Sequence, residues 1–97
     1  MSYVFEVTDK SGKRIHLSQE RWTHIRKKHP EVENAEELEE TIKEPDKITF
    51  PKLDEKAGFY YKYFKHRPSS YKYLLVLVKY LNGEGYIVTA YYEDKIK

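Results

Sequence analysis

The chain has no cysteine, which excludes disulfide bonds and thiolate metal ligands and favours a cytoplasmic location. It also lacks a long hydrophobic run. The longest covers residues 74–78 and has the length of a strand, so we expect neither a membrane span nor a signal peptide. Methionine and glutamine occur once each, whereas lysine and glutamate are abundant, a composition that hints at a thermophilic source.

The remaining composition is that of one globular domain. Hydrophobic residues make up 39% of the 97 residues and charged residues 35%, which allows one core and argues against a disordered chain. We therefore expect residues 1–97 to form a single domain.

The net charge of +2 hides a segregated charge distribution. Residues 10–29 carry seven lysines or arginines against one acid, residues 31–46 carry eight acids against one lysine, and residues 59–80 carry five basic residues and no acid. If the two basic segments lie side by side, they form one positive surface that suits nucleic acid. The alternative is an ordinary solvated surface without a charged partner.

Local signals in the first half predict a hairpin followed by two helices. Residues 3–8 and 13–17 read as strands that flank a turn. Ser18 is a suitable N-cap for a helix that ends before Pro30. Asn34 begins a second helix with a capping-box pattern, and a proline at position 45 ends it.

The second half predicts strands alone. A short strand over residues 47–50 precedes three longer ones over 59–66, 71–81 and 86–92, with a hairpin turn at 82–85. The expected fold is α+β, with an N-terminal hairpin and two helices packed on an antiparallel sheet of about four strands. The predicted core residues are Trp22, Ile25, Leu38, Ile42, Leu75, Leu77 and Val78.

The sequence leaves the register of the last hairpin open. If Gly83 and Glu84 form a two-residue turn, Thr89 pairs with Val78, whereas a slip of one residue places Lys79 beside Thr89. Most of the ten tyrosines are expected to pack across strands. An aromatic sheet face beside cations is also how single-stranded RNA is often held.

The side chains needed for metal-free RNA cleavage are all present. The reaction requires a base for the ribose 2′-hydroxyl, an acid for the leaving oxygen, and cations or donors on the phosphate. Histidine, arginine, lysine, tyrosine and threonine supply these groups. No paired carboxylates or His/Asp cluster stand at metal-binding spacing, so no metal and no other cofactor is expected.

The four histidines have different predicted surroundings. His24 lies on a basic flank of the first helix with Arg21, and is either a general acid or base or an exposed helix residue. His29 shares the apolar face of that helix, where it either takes part in the chemistry or only caps the helix and packs on the sheet. His16 and His66 lie at strand ends and are expected at the surface.

Four segments stand in a recognisable order, namely Arg21-Trp22-x-His24-Ile25-x-x-x-His29-Pro30-Glu31, Thr41-Ile42-x-x-Pro45-Asp46-x-Ile48, Tyr60-Tyr61-Lys62 and Thr89-Ala90-Tyr91. With the preceding hairpin, this order resembles the small nuclease toxins of the barnase–EndoU–colicin–RelE group, in particular its phage- and mobile-element-associated branches. The resemblance spans residues 5–92. It implies a compact α+β fold, metal-independent RNA cleavage and often a cognate antitoxin or immunity partner.

The resemblance also implies where the site lies. The residues that it places in the catalytic site or close to it are His24, Lys62, Thr89, Arg21, Tyr91 and His29. Further candidate RNA-binding residues on and beside the basic segments are Arg26, Lys28, Tyr61 and Lys65.

Three functions compete on this evidence. The first is a toxin-like endoribonuclease that cleaves RNA through attack of the 2′-hydroxyl. The second is a non-catalytic RNA-binding or partner-binding module of a mobile element or toxin–antitoxin system, and the third is a structural accessory protein without RNA affinity. Cleavage that depends on a histidine distinguishes the first from the other two.

Overall fold

The structure is a computed structural model that describes residues 3–96, and within them it contains six strands and two helices. The elements are β1 (Tyr3–Thr8), β2 (Arg14–Ser18), α1 (Gln19–Lys28), α2 (Ala35–Lys43), β3 (Lys47–Thr49), β4 (Ala57–Tyr63), β5 (Tyr73–Leu81) and β6 (Glu84–Glu93). The predicted α+β class is confirmed, as is the predicted order of strands and helices.

All six strands join one sheet in the order β1-β2-β6-β5-β4-β3. The expectation of an antiparallel sheet of about four strands was wrong, because the N-terminal hairpin is part of the sheet. Strand β2 pairs in parallel with β6, while the other neighbours are antiparallel. This pairing joins residues about seventy positions apart in sequence, so no local sequence pattern predicts it.

Side-chain caps fix where both helices begin. The Ser18 hydroxyl accepts a hydrogen bond from the Arg21 backbone N–H at 3.1 Å, and the Asn34 side chain accepts one from the Glu36 N–H at 2.9 Å. Each bond satisfies a backbone donor that the first helical turn leaves without a partner. The predicted starts of both helices are therefore confirmed.

The β5–β6 hairpin differs from the predicted register. Its two-residue turn is Asn82-Gly83, both with positive φ (56° and 82°), rather than Gly83-Glu84. A bulge then falls between the pair of Val78 with Ile87 and the next pair of the ladder. Thr89 consequently pairs with Leu77, and neither Val78 nor Lys79 lies opposite it.

Both helices pack on one face of the sheet. Ile25 of α1 and Leu38 and Ile42 of α2 are fully buried in a core with Val76 and Val78 of β5. Of the other predicted core residues, Trp22 and Leu77 are only half-buried, and Leu75 is buried on the opposite face. Helix α1 packs mainly against β6 and β2, and α2 against β1, β5 and β4.

The opposite face of the sheet is called the open face below. Side chains alternate between the two faces along a strand. A strand residue that directly precedes or follows a core residue therefore points to the open face. The residues of the open face that matter below are Lys47, Thr49, Phe59, Tyr61, Leu75, Leu77, Thr89 and Tyr91.

Candidate functional site

The C-terminal end of α1 meets the open face at Tyr91. His29 is the C-cap of α1, and its backbone N–H donates to the Ile25 carbonyl at 2.7 Å. Pro30 follows directly and stops the helix. The His29 ring is thereby held against the Tyr91 ring, with 5.2 Å between centroids and an interplanar angle of 28°.

A carboxylate and a second hydroxyl lie beside this stacked pair. The Oε2 atom of Glu31 is 3.7 Å from Nδ1 of His29, an ion pair whenever the ring is protonated. Thr89 precedes Tyr91 by two positions on β6, so both hydroxyl side chains are on the open face. We refer to His29, Glu31, Thr89 and Tyr91 as the His29 site. It combines an imidazole, which can accept or donate a proton, with hydroxyl donors for an anionic oxygen.

An aromatic cleft of about 300 Å³ adjoins the His29 site. Its floor follows one row of paired residues across the sheet, from Tyr91 through Leu75 to Tyr61. The residues that line this open-face cleft are Thr49, Phe50, Pro51, Phe59, Tyr61, Leu75, Tyr91 and Glu93. Tyr91 therefore belongs both to the cleft and to the His29 site.

The structure does not bring Lys62 together with Thr89 and Tyr91. Lys62 pairs with Leu74 on the face that carries the helices. Its ammonium donates to the Glu44 carbonyl at 3.0 Å and lies 3.9 Å from Glu40, both at the C-terminal half of α2. Lys62 thus connects β4 to α2 and lies on the face of the sheet opposite to Thr89 and Tyr91.

His24 and Arg21 lie together on the outer flank of α1. They line a shallow groove with Thr23 and Lys27, and His24 is exposed to solvent. His29 is five positions further along and projects from a different side of the helix. His24 and Arg21 thus share one flank of the helix, whereas the His29 ring contacts Tyr91.

The candidate RNA-binding residues have separate locations. Arg26 donates to the carbonyls of Pro30 and Val32 at 2.9 and 2.8 Å and so supports the turn that follows His29. Lys28 is exposed in the last turn of α1, beside His29. Tyr61 is buried in the floor of the open-face cleft, and Lys65 is exposed in the β4–β5 loop.

The prediction that His16 lies at the surface was wrong. It is only 5% exposed, with its ring between those of Tyr3 and Tyr86 at centroid distances of 4.8 and 5.0 Å. Its Nε2 atom contacts the Glu84 carboxylate, and its Nδ1 atom is 3.5 Å from Glu6. Strand β2 is interior to the sheet and His16 is its middle residue, so both neighbouring strands cover the ring. His66 is exposed, as predicted.

A second polar cluster was not anticipated. Glu37 accepts a hydrogen bond from the Tyr92 hydroxyl and lies 3.3 Å from His66, while the Arg67 guanidinium stands 3.5 Å from the centre of the Tyr92 ring. Burial and the Glu37 carboxylate raise the pKa of Tyr92, so the hydroxyl stays protonated and donates. These residues come from α2, the β4–β5 loop and β6, so only the tertiary structure brings them together.

Two features were searched for among residues 3–96 and not found there. No three histidine, aspartate or glutamate side chains are grouped so that they could hold a metal ion. No helix is long and apolar enough to cross a membrane.

Comparison with known proteins gives one family. The family model described as phage-Barnase-EndoU-ColicinE5/D-RelE like nuclease2 matches residues 4–97, almost the whole chain. Neither the curated proteins nor the solved structures gave a match. The matched range includes the His29 site and the open-face cleft, and the chain therefore belongs to the phage-Barnase-EndoU-ColicinE5/D-RelE like nuclease2 family.

Proposed function

We propose that this nuclease is a metal-independent endoribonuclease and that the His29 site carries its chemistry. The observation that supports this assignment most strongly is the contact of the His29 ring with Tyr91, which has Thr89 two positions away on the same face. A proton-transfer group then lies beside two hydroxyl donors on a nuclease fold. Phosphodiester cleavage needs these groups together.

In the proposed reaction, His29 takes the proton of the ribose 2′-hydroxyl while its oxygen attacks the adjacent phosphorus. The bond from phosphorus to the 5′ oxygen breaks, the leaving oxygen takes a proton from a water molecule on its own side of the phosphorus, and the imidazolium then gives its proton to solvent. The products are a 2′,3′-cyclic phosphate and a 5′-hydroxyl end. Thr89 and Tyr91 donate to the phosphate oxygens, Glu31 orients the ring, and Lys28 supplies positive charge.

His29 rather than His24 is proposed as the proton carrier because the His29 ring stacks on Tyr91 of the sheet, whereas His24 is exposed to solvent. His24 and Arg21 instead form a cationic flank on the outer side of α1, to which the RNA backbone is attracted. Lys62 neutralises the acidic end of α2 in this proposal and does not touch the phosphate.

The open-face cleft is the observation that favours a second candidate, a non-catalytic RNA-binding module. Aromatic side chains on a sheet bind single-stranded RNA by stacking, with or without cleavage. The two candidates differ in turnover alone: a binding module protects RNA or leaves it intact, whereas the endoribonuclease creates new ends.

A toxin-like role in the cytoplasm follows from the same proposal. RNA cleavage inside a cell arrests growth, so expression of the active protein is expected to need a cognate antitoxin or immunity protein. Growth arrest on induction, relieved by His29→Gln, supports this role. Normal growth with abundant, folded wild-type protein contradicts it.

The test of the proposed activity is incubation of the purified protein with total RNA in the presence of EDTA. We expect new fragments with 2′,3′-cyclic phosphate and 5′-hydroxyl ends, because the attacking oxygen belongs to the substrate itself. The absence of new ends, or cleavage only after a divalent cation is restored, contradicts the proposal.

A further inference from the structure

The open-face cleft has a buried floor and an exposed aromatic rim. Tyr61 and Leu75 in the floor are only 1% and 3% exposed, whereas Phe50 at the rim is 63% exposed. Phe59, which is half-buried, lines the same cleft. An exposed phenylalanine above a buried apolar floor leaves apolar surface available to a flat, apolar-faced ligand.

Positive or proton-carrying groups stand at both ends of the row of paired residues that forms the floor of this cleft. The row of paired residues that starts at Tyr91, beside His29, continues through Leu75 and Tyr61 to Lys47 on β3. Three strand spacings separate Tyr91 from Lys47, a distance of about 14 Å. The residues between them in this row are apolar or aromatic, while the carboxylate of Glu93 lines the cleft outside this row. Lys47 is exposed and was not among the predicted site residues.

We propose that the open-face cleft is a nucleobase subsite, in which an unpaired base stacks beside Phe50 and Phe59 while Lys47 binds a neighbouring phosphate. This inference rests on the proposed RNA cleavage at His29, since the row fixes which part of the strand lies over the cleft. Only an unpaired base fits, because the bases of an A-form duplex are stacked within it and do not present their faces to a protein surface. The substrate class is therefore single-stranded RNA or a loop.

Binding of a 2′-O-methyl hexanucleotide, measured by fluorescence anisotropy, tests the subsite without cleavage, because this RNA has no free 2′-hydroxyl. We expect the single strand to bind more tightly than the same sequence within a hairpin duplex. Phe50→Leu, which keeps apolar bulk but removes the aromatic face, should weaken single-strand binding by about 5- to 150-fold. The matched control is Tyr71→Leu, an exposed aromatic side chain outside the cleft, which should bind like wild type.

Lys47→Gln tests the phosphate contact in the same assay. Loss of one phosphate contact should lower the slope of log affinity against log salt by about 0.7 for a single strand. Lys43→Gln, an exposed lysine on α2, is the control and should leave this slope unchanged.

Equal affinity for the single strand and the duplex, or wild-type binding by Phe50→Leu, overturns the nucleobase subsite. The two proposals fail separately. Binding as expected by a protein that leaves unmodified RNA intact contradicts the cleavage at His29 and keeps the subsite. Cleavage of unmodified RNA combined with unchanged binding by Phe50→Leu contradicts the subsite and keeps the cleavage.

Discussion

Asp9 is a single residue that connects three parts of the fold. Its Oδ1 atom accepts hydrogen bonds from the Ser11 N–H and hydroxyl and from the Lys13 N–H, which shape the β1–β2 turn. Its Oδ2 atom accepts from the Tyr60 hydroxyl at 2.7 Å, and Tyr60 lies 2.6 Å from the Tyr80 hydroxyl. The carboxylate therefore links the first hairpin to β4 and β5 inside a region that is nearly closed to solvent.

The protonation of Asp9 makes stability depend on pH. Burial raises its pKa, but the hydrogen bonds from Tyr60, Ser11 and the Lys13 backbone outweigh burial, and the net pKa lies below the usual 3.8. The folded state thus holds the proton more weakly than the unfolded state. The stabilisation is present above the unfolded pKa near 3.8 and is lost as pH falls through the lower folded value.

Asp9→Asn should lower the free energy of unfolding by about 1–3 kcal/mol at neutral pH, the cost of weakening buried hydrogen bonds to a charged group. The difference from wild type should shrink as pH falls below 3.8 and through the lower folded pKa of Asp9, because the carboxyl then becomes protonated and neutral like the asparagine. Urea unfolding over this pH range checks the expectation, with the exposed Asp94→Asn as control. A difference that stays constant down to the lowest pH would show that the charge contributes nothing.

The residue types show which chemical groups the chain offers, but they do not show which of these groups are neighbours. Histidines, cations and hydroxyl side chains can be named from the sequence, whereas their partners depend on tertiary contacts. The burial of His16 follows from the position of β2 between β1 and β6, and the separation of Lys62 from Thr89 follows from strand alternation. The helical pattern placed His29 with the core residues, whereas its position at the C-cap lets the ring reach Tyr91.

At the scale of elements, Gly85 explains how β2 packs against β6. A Cβ atom at this position would lie 2.4 Å from Cδ1 of Ile15 and 2.8 Å from Cγ1 of Val78, both fully buried. The absence of a side chain lets Ile15 cross the β6 backbone next to its parallel partner. The packing of β2, which leads through Ser18 into α1, therefore depends on this glycine.

Gly85→Ala should destabilise the protein by about 1–3 kcal/mol, since the closest side chains have no free space into which to move. Because the strain acts on the β2–β6 pair, amide hydrogen exchange should accelerate in β2 more than in β3 or β4. Thermal unfolding and exchange measured by mass spectrometry check both effects. An unchanged melting temperature would indicate that Ile15 can repack.

Features that depend on residues close in sequence were predictable, whereas features that depend on contacts between distant segments were not. Ser18 and Asn34 cap their helices as expected, because capping involves neighbouring residues only. The bulge that sets the register of Thr89 has no such signal, nor has the parallel pairing of β2 with β6. Both features depend on contacts between segments distant in sequence.

At the scale of the whole molecule, the charge segregation has a different outcome from the continuous positive surface that was expected. Lys62 does not connect the second basic segment to α1. Helix α2 lies against β4, and its Glu40 carboxylate is close enough to the Lys62 ammonium to form an ion pair. His66 likewise lies against Glu37. The acidic helix thus neutralises part of the second basic segment, while Arg26, Lys27 and Lys28 of α1 are exposed in the last turn before His29.

The central claim, that His29 is the proton carrier of an RNA-cleaving site, is tested most directly by two matched variants of one helix. The assay compares kcat/KM on a single-stranded RNA in EDTA for His29→Gln and His24→Gln, with circular dichroism and melting temperature as controls for folding. His29→Gln should lower kcat/KM by about 100- to 10,000-fold, the usual value of general acid–base help, while His24→Gln should retain most of it. Full activity of folded His29→Gln together with loss of activity in His24→Gln would contradict the account and move the chemistry to the outer flank of α1.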